Sequence, residues 1–244
     1  MDIENNYGLK ECQQNLLRLM SVFDKLCREN DIVYCVDSGT LLGTIRHNGF
    51  IPWDDDLDVV VDRDNYDKLM KVNFEIYGLR YIRNTFIESL CLSDSSKSSK
   101  KLVLDIFTID NTPDSSFARK LKIAHLIMIH GMWHHYFKEQ VDTHSFVKKV
   151  YSFIFRNIGR FYSEEQIFKI FQRVSKKDNN RKTKYVQCFN YMSYELNVRY
   201  PSDILKEIER HQFESIEVNV PKLYDVYLSN LYGDWKTPKK TKTD

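Results

Sequence analysis

The sequence predicts an α/β (α+β) fold, a mixed sheet core with a block of helices attached to it. Three observations carry this prediction. Short runs rich in Val, Ile and Leu alternate with stretches of helical spacing up to about residue 113. From Asp114 that alternation gives way to consecutive helix-like segments. Strand-like alternation then returns after a basic linker near 175–184. The organisation expected is a core over 1–113, a helical packing or acceptor region over 114–184, and a segment over 185–244 that returns to the core.

The totals exclude several classes. At 244 residues with 42% hydrophobic content, the chain has ample material for one large folded domain or a core with an appendage. Lys plus Arg number 36 against 34 for Asp plus Glu, so no global basic field argues for nucleic acid. The five cysteines are scattered with no CxxC pair, which points to reduced thiols and a cytoplasmic setting. Met1–Asn6 is acidic and polar, unlike a secretory signal. No stretch approaches the roughly 20 apolar residues of a membrane span. The expectation is a cytoplasmic protein, with or without peripheral contact at the inner face of the membrane.

Taken in order, residues 7–29 place Leu9, Cys12, Leu16, Leu19, Met20, Phe23, Leu26 and Cys27 at helical spacing, and Asn30 suits the helix end. Ile32–Val36 reads as a short buried strand. Ser38-Gly39-Thr40 follows, then a helix-like Leu41–Arg46. A strand, a small-residue turn and a helix start gather backbone N–H groups in a way that suits phosphate. Gly39 lets the backbone approach closely, and Arg46 offers a guanidinium that pairs with phosphate bidentately.

The next run, Pro52-Trp53-Asp54-Asp55-Asp56-Leu57-Asp58-Val59-Val60-Val61, crowds carboxylates ahead of three valines. If Asp54 to Val61 is extended, Asp54, Asp56 and Asp58 share one face. Like charges so close repel. Either the run is a solvated acidic turn, or it holds Mg²⁺ or Mn²⁺, which prefer hard oxygen ligands and accept phosphate oxygens beside one or two carboxylates. Asp62–Lys71 reads as a helix with an Asp cap, and 79–83 and 86–92 as strands. Ser93–Lys101 is a polar loop. Asp105 lies inside the apolar strand Lys101–Asp110, so it either pairs with a cation or adds a third carboxylate to the site.

Gly39-Thr40-Leu41-Leu42-Gly43 with Arg46, then Ile51-Pro52-Trp53-Asp54-Asp55-Asp56-Leu57-Asp58, resembles the signature of the LicD family, which includes fukutin and fukutin-related protein. The resemblance covers residues 16–112 and, more loosely, 211–238. It implies a nucleotidyltransferase-like core with Asp56, Asp58 and Asp105 as the catalytic acids. It further implies transfer of phosphocholine or a polyol phosphate from a CDP-activated donor, CDP-choline or a CDP-polyol, to a glycan or lipid-linked glycan (capsule, lipopolysaccharide or teichoic acid), with CMP leaving. Phe213–Pro221 alternates like an edge strand that ends at proline; with a helix over 222–231 and Tyr232-Gly233-Asp234-Trp235 it resembles the family's C-terminal pattern, which implies that Asp234 and Trp235 lie near the donor. Phosphate contacts then fall to Ser38, Gly39, Thr40 and Arg46, and metal ligands to Asp54, Asp56, Asp58 and Asp105.

The helices at 116–138, 144–158 and 163–176 carry basic and apolar residues together. They either pack on the core or meet an acidic surface. His130 and His134 stand one turn apart, but no HExxH pattern surrounds them, so zinc is not expected. Two other functions remain open. One is transfer of NMP from an NTP to a small molecule or RNA. The other is a non-catalytic glycan-binding subunit.

Overall fold

The computed structural model describes residues 9–84, 86–94, 102–133, 146–190 and 196–237. The chain forms two compact units, residues 1–109 with 198–244 and residues 110–197.

In the first unit, α1 (Lys10–Glu29) buries Leu16, Leu19, Met20, Phe23, Leu26 and Cys27 along one stripe. β1 (Cys35–Val36) pairs antiparallel with β2 (Leu57–Asp62), and α2 (Ser38–His47) connects them. Asp62 ends β2 and caps α3 (Arg63–Leu69), accepting the Asn65 N–H at 2.8 Å. β3 (Leu79–Asn84) and β4 (Ile87–Leu92) form a hairpin. β5 (Leu104–Thr112) runs parallel to β2 on one side and antiparallel to β4 on the other, giving the order β1-β2-β5-β4-β3. The sheet is therefore mixed, and the fold is α+β. Val59, Val60, Val61, Leu104 and Ile106 at its centre are fully buried, as expected for strands covered on both faces.

The second unit holds α4 (Ser116–Trp133), α5 (Phe146–Gly159), α6 (Glu164–Ser175) and β6 (Tyr185–Cys188). α4 packs against both other helices. Ser163 and Gln166 form a capping box at the start of α6. The buried Lys122 ammonium donates to the Asn111 carbonyl at 3.0 Å, the Ser175 carbonyl at 2.7 Å and Asp178 Oδ2 at 3.0 Å. A buried cation with three acceptors is satisfied, so this is a structural anchor.

The chain then returns to the first unit with β7 (Tyr200–Pro201), the hairpin β8 (Ile208–Phe213) and β9 (Ile216–Pro221), and α7 (Tyr224–Tyr232). β9 packs on β1, and α7 on α2. Gly233 caps α7 with φ 72°.

Four local expectations change. The first strand is only Cys35–Val36. α2 begins at Ser38, so Ser38-Gly39-Thr40 is its first turn rather than a turn before it. β2 begins at Leu57, so Asp54 and Asp56 reach their positions through a loop and not through strand alternation. Phe213 to Pro221 is not one strand: Glu214 and Ser215 turn the chain between β8 and β9. Met1–Asn6, most of the 93–101 loop, His134, His135 and the Lys239–Lys242 tail fall outside the described residues.

Candidate active site

The acidic site is built where β2 and β5 begin. Their parallel register sets Asp58 directly beside Asp105. On the other flank of β5, Ser89 is the partner of Asp105, and its hydroxyl donates to Asp105 Oδ1 at 2.6 Å. Asp58 is fixed from the α2 side, where its N–H donates to Thr40 Oγ1 at 2.9 Å and its carbonyl accepts the Asp37 N–H at 2.9 Å. Thr44 in turn donates to the Thr40 carbonyl at 2.7 Å. The Thr40 oxygen thus ties α2 to β2, and this hydrogen bond is what holds the helix start against Asp58.

The loop that carries Asp54 to Asp56 is pinned at both ends. Gln13 Nε2 donates to the carbonyls of Ile51 and Asp54, at 3.2 and 3.0 Å. Upstream, Glu214 donates its N–H to the Asn48 carbonyl at 2.7 Å and accepts the Phe50 N–H at 3.1 Å. A Cβ at Gly49 would lie 2.0 Å from Glu214 Oε1, so only glycine lets that carboxylate in. Phe213 packs edge-on against Phe50 with centroids 4.7 Å apart. At the other end, a Cβ on Gly39 would lie 2.9 Å from Asp54 Oδ2. The close approach that Gly39 permits is therefore the seating of Asp54 on the first turn of α2.

Electrostatics show how the acids share this space. Burial, then the charge of Asp56 and a hydrogen bond shared with it, push Asp54 up to about 7. Burial raises Asp56 as well. Asp58 is pushed well above the usual carboxylate range by burial and then by Asp56, Asp37, Asp105 and Asp54. Burial also raises Asp105, with the Ser89 hydrogen bond working against it. Asp54 Oδ2 is buried without a hydrogen-bond partner. Among the described residues no Lys or Arg forms an ion pair with Asp54, Asp56, Asp58 or Asp105.

This set of hard oxygen donors, mutually repelling and with one orphaned oxygen, suits a divalent cation. Among the described residues no three Asp, Glu, His or Cys side chains are grouped to hold an ion unaided. Mg²⁺ commonly uses one or two carboxylates and completes its shell with water and substrate phosphate, so the donor set fits a cation that arrives with its substrate.

The remaining predicted residues lie on α2 and α7. Ser38 adopts φ 45°, and its N–H donates to Asp37 Oδ1 at 2.7 Å. The next N–H groups of α2 have no partner within the helix and lie at its positive end. Arg46, in the last turn of α2, is half-buried and pairs with no carboxylate among the described residues. Trp235 is buried against Tyr224 in a T-shaped contact at 6.4 Å. Asp234 is exposed and accepts the Thr237 N–H at 3.4 Å. It is not among the charges acting on Asp58. Participants beyond the predicted residues also appear. Asp37 is fully buried beside Asp58 and caps α2, a role signalled by an acid just before a helix start. Ser89 and Glu214 act only through tertiary contact and have no local signal.

Comparison with known proteins finds a family model that matches the part of the chain carrying this site. Residues 31–118 match the model for the LicD/FKTN/FKRP nucleotidyltransferase domain, a span that includes all four acids and Arg46. The chain is 33% identical over 121 residues to the lipopolysaccharide cholinephosphotransferase LicD of Haemophilus influenzae, covering 43% of this chain and 46% of that one. It is 34% identical over 95 residues to an uncharacterized protein of Rickettsia prowazekii, covering 39% of this chain and 33% of that one. The matches thus span less than half the length of these curated relatives. Over residues 31–118, then, this chain is similar to the LicD/FKTN/FKRP nucleotidyltransferase domain.

Proposed function

We propose that this protein transfers a phosphoalcohol, phosphocholine or a polyol phosphate, from a CDP-activated donor to a hydroxyl of a cell-surface glycan. The observation that supports this most is the uncompensated acid cluster at the positive end of α2, close to where Gly39 meets Asp54. Such a cluster is costly unless a cation and a phosphate complete it.

In the proposed reaction a bond forms between the acceptor oxygen and the alcohol-bearing phosphorus. The bond from that phosphorus to the CMP oxygen breaks, and CMP leaves. Asp56 and Asp58 would hold Mg²⁺ or Mn²⁺, with Asp54 and Asp105 beside them. When bound, the cation neutralises charge on the donor pyrophosphate. Asp105 takes the acceptor proton: Ser89 fixes one of its oxygens, and burial raises its affinity for a proton. The first-turn N–H groups of Gly39 and Thr40 in α2, with the Ser38 hydroxyl beside them, face donor phosphate, and Arg46 gives a second positive contact. Asp234 and Trp235 flank the donor from the cap of α7, which packs on α2.

The test is incubation with CDP-choline, Mg²⁺ and a lipopolysaccharide acceptor, with CMP release measured. Acceptor-dependent release by the wild type, lost in Asp58→Asn, supports the reading; full release by that variant contradicts it. The matched domain is described as a nucleotidyltransferase, and this favours one second reading, NMP transfer from an NTP. Pyrophosphate release from CTP or ATP in place of CMP release would select it.

A further inference from the structure

The helical unit carries an outward surface that its own core does not account for. α4 turns Ile123, Leu126, Ile129 and Met132 inward. Its opposite side should be polar in a helix that faces water. Instead Phe117, Leu121, Ala124 and Met128, spaced to fall along one line of the helix, are all exposed. Phe117 is 72% and Leu121 55% exposed. α5 repeats the pattern with Phe153 at 71%, and Phe161 in the turn after it is 85% exposed. Large apolar side chains this open mark a surface that meets something apolar.

The charges say what. Neither α4 nor α5 contains an Asp or a Glu. Lys120 lies beside the α4 stripe, and Arg160 follows α5 directly; both are exposed. The first acids after α5, Glu164 and Glu165, open α6, where Glu165 is paired with Lys169 at 3.6 Å. A second copy of this chain meeting the face would bring like charges together, which is unfavourable. A bilayer with anionic headgroups offers both the apolar phase and the opposite charge. Among the described residues no helix is long and apolar enough to cross a membrane, so the contact lies in the interface plane.

We propose that the outward faces of α4 and α5 dock on an anionic bilayer surface, with Phe117, Leu121, Phe153 and Phe161 entering the headgroup region and Lys120 and Arg160 meeting lipid phosphate. This inference rests on neither the donor nor the reaction proposed above.

The test is flotation of the full chain with vesicles of phosphatidylcholine alone and with about one third phosphatidylglycerol. Binding is expected to the anionic vesicles and to weaken with salt. Phe117→Ser with Leu121→Ser should lower the partition coefficient by about tenfold or more, and Lys120→Glu with Arg160→Glu should abolish the preference for anionic lipid. All four positions are exposed, so an unchanged melting temperature will separate loss of docking from loss of fold. Failure to bind either vesicle would overturn the proposal. So would a dimer in sedimentation that the Phe117→Ser, Leu121→Ser variant dissolves while vesicles do not compete with it.

Discussion

Asp24 and Asp58 are both drawn out of water within the same folded unit, and the protein treats them in opposite ways. Asp24 receives Arg210 Nη1 at 2.6 Å, Tyr34 at 2.7 Å and Arg28 at 2.9 Å. Burial works against its charge, but Arg210, Tyr34 and Arg28 together hold it below the ordinary carboxylate range. Asp58 has burial and four neighbouring acids, which push it the other way. The first arrangement is finished: it ties α1 to β8, and a further charge would disrupt it. The second is incomplete. A fold that can surround one carboxylate with cations leaves another group of them without any among the described residues. This contrast marks the second group as a place for something the chain does not supply.

The largest effect should come from removing a charge on the incomplete side. Asp58→Asn is expected to cut CMP release by about a thousandfold, the scale on which electrostatic stabilisation of a transition state acts. It should leave the melting temperature of the metal-free protein unchanged or raised. Single-turnover kinetics and calorimetry on the same preparation check both halves.

The matching change on the finished side should do the reverse. Arg210→Ala strips the main partner from a buried carboxylate, at a cost of about 2 kcal/mol once the partial exposure of Arg210 is allowed for. Denaturant unfolding reads this, and a measured loss under about 0.5 kcal/mol would break the comparison.

Proton linkage sharpens it further. Asp54 has a folded-state value near 7, above its ordinary unfolded value of about 3.9. Its contribution to stability is present below about pH 4 and is lost as pH rises through about 7. The metal-free protein should therefore lose on the order of 4 kcal/mol between about pH 4 and pH 8. Asp54→Asn should flatten that decline. Asp24 behaves oppositely: its contribution is present above its unfolded value and is lost as pH falls through the lowered folded one. A melting curve taken across pH on wild type, Asp54→Asn and Arg210→Ala separates the two.

The smallest effect concerns the hairpin. Glu214→Ala removes the acceptor of the Phe50 N–H and should cost about 1 kcal/mol, whereas Glu214→Gln keeps an acceptor and should cost less.

These sites were unevenly legible in the sequence. Asp54, Asp56, Asp58 and Asp105 stood out because carboxylates packed ahead of valines, or set alone in an apolar strand, conflict with what surrounds them. Helices with long apolar stripes, such as α1, were equally clear. The route by which the acids meet was not. A strand starting at Asp54 was the simplest extrapolation of the Val59–Val61 run, but Gln13 and Glu214 hold the preceding loop out of the sheet. Contacts of that kind join residues 38 or more positions apart, and no local pattern encodes them. Gly39 illustrates the same limit. Its need for space was readable, but its neighbour, the Asp54 carboxylate, was not.

The cation site proposed for the Asp54–Asp58 loop and Asp105 has no counter-ion among the described residues. Titration calorimetry of Mn²⁺ into the metal-free protein at about pH 7.5, with and without CDP-choline, tests it most directly. Saturable binding in the wild type, strengthened by the donor and abolished in a folded Asp58→Asn variant, is the predicted result. Equal uptake by wild type and variant, or no uptake even with CDP-choline present, would contradict it.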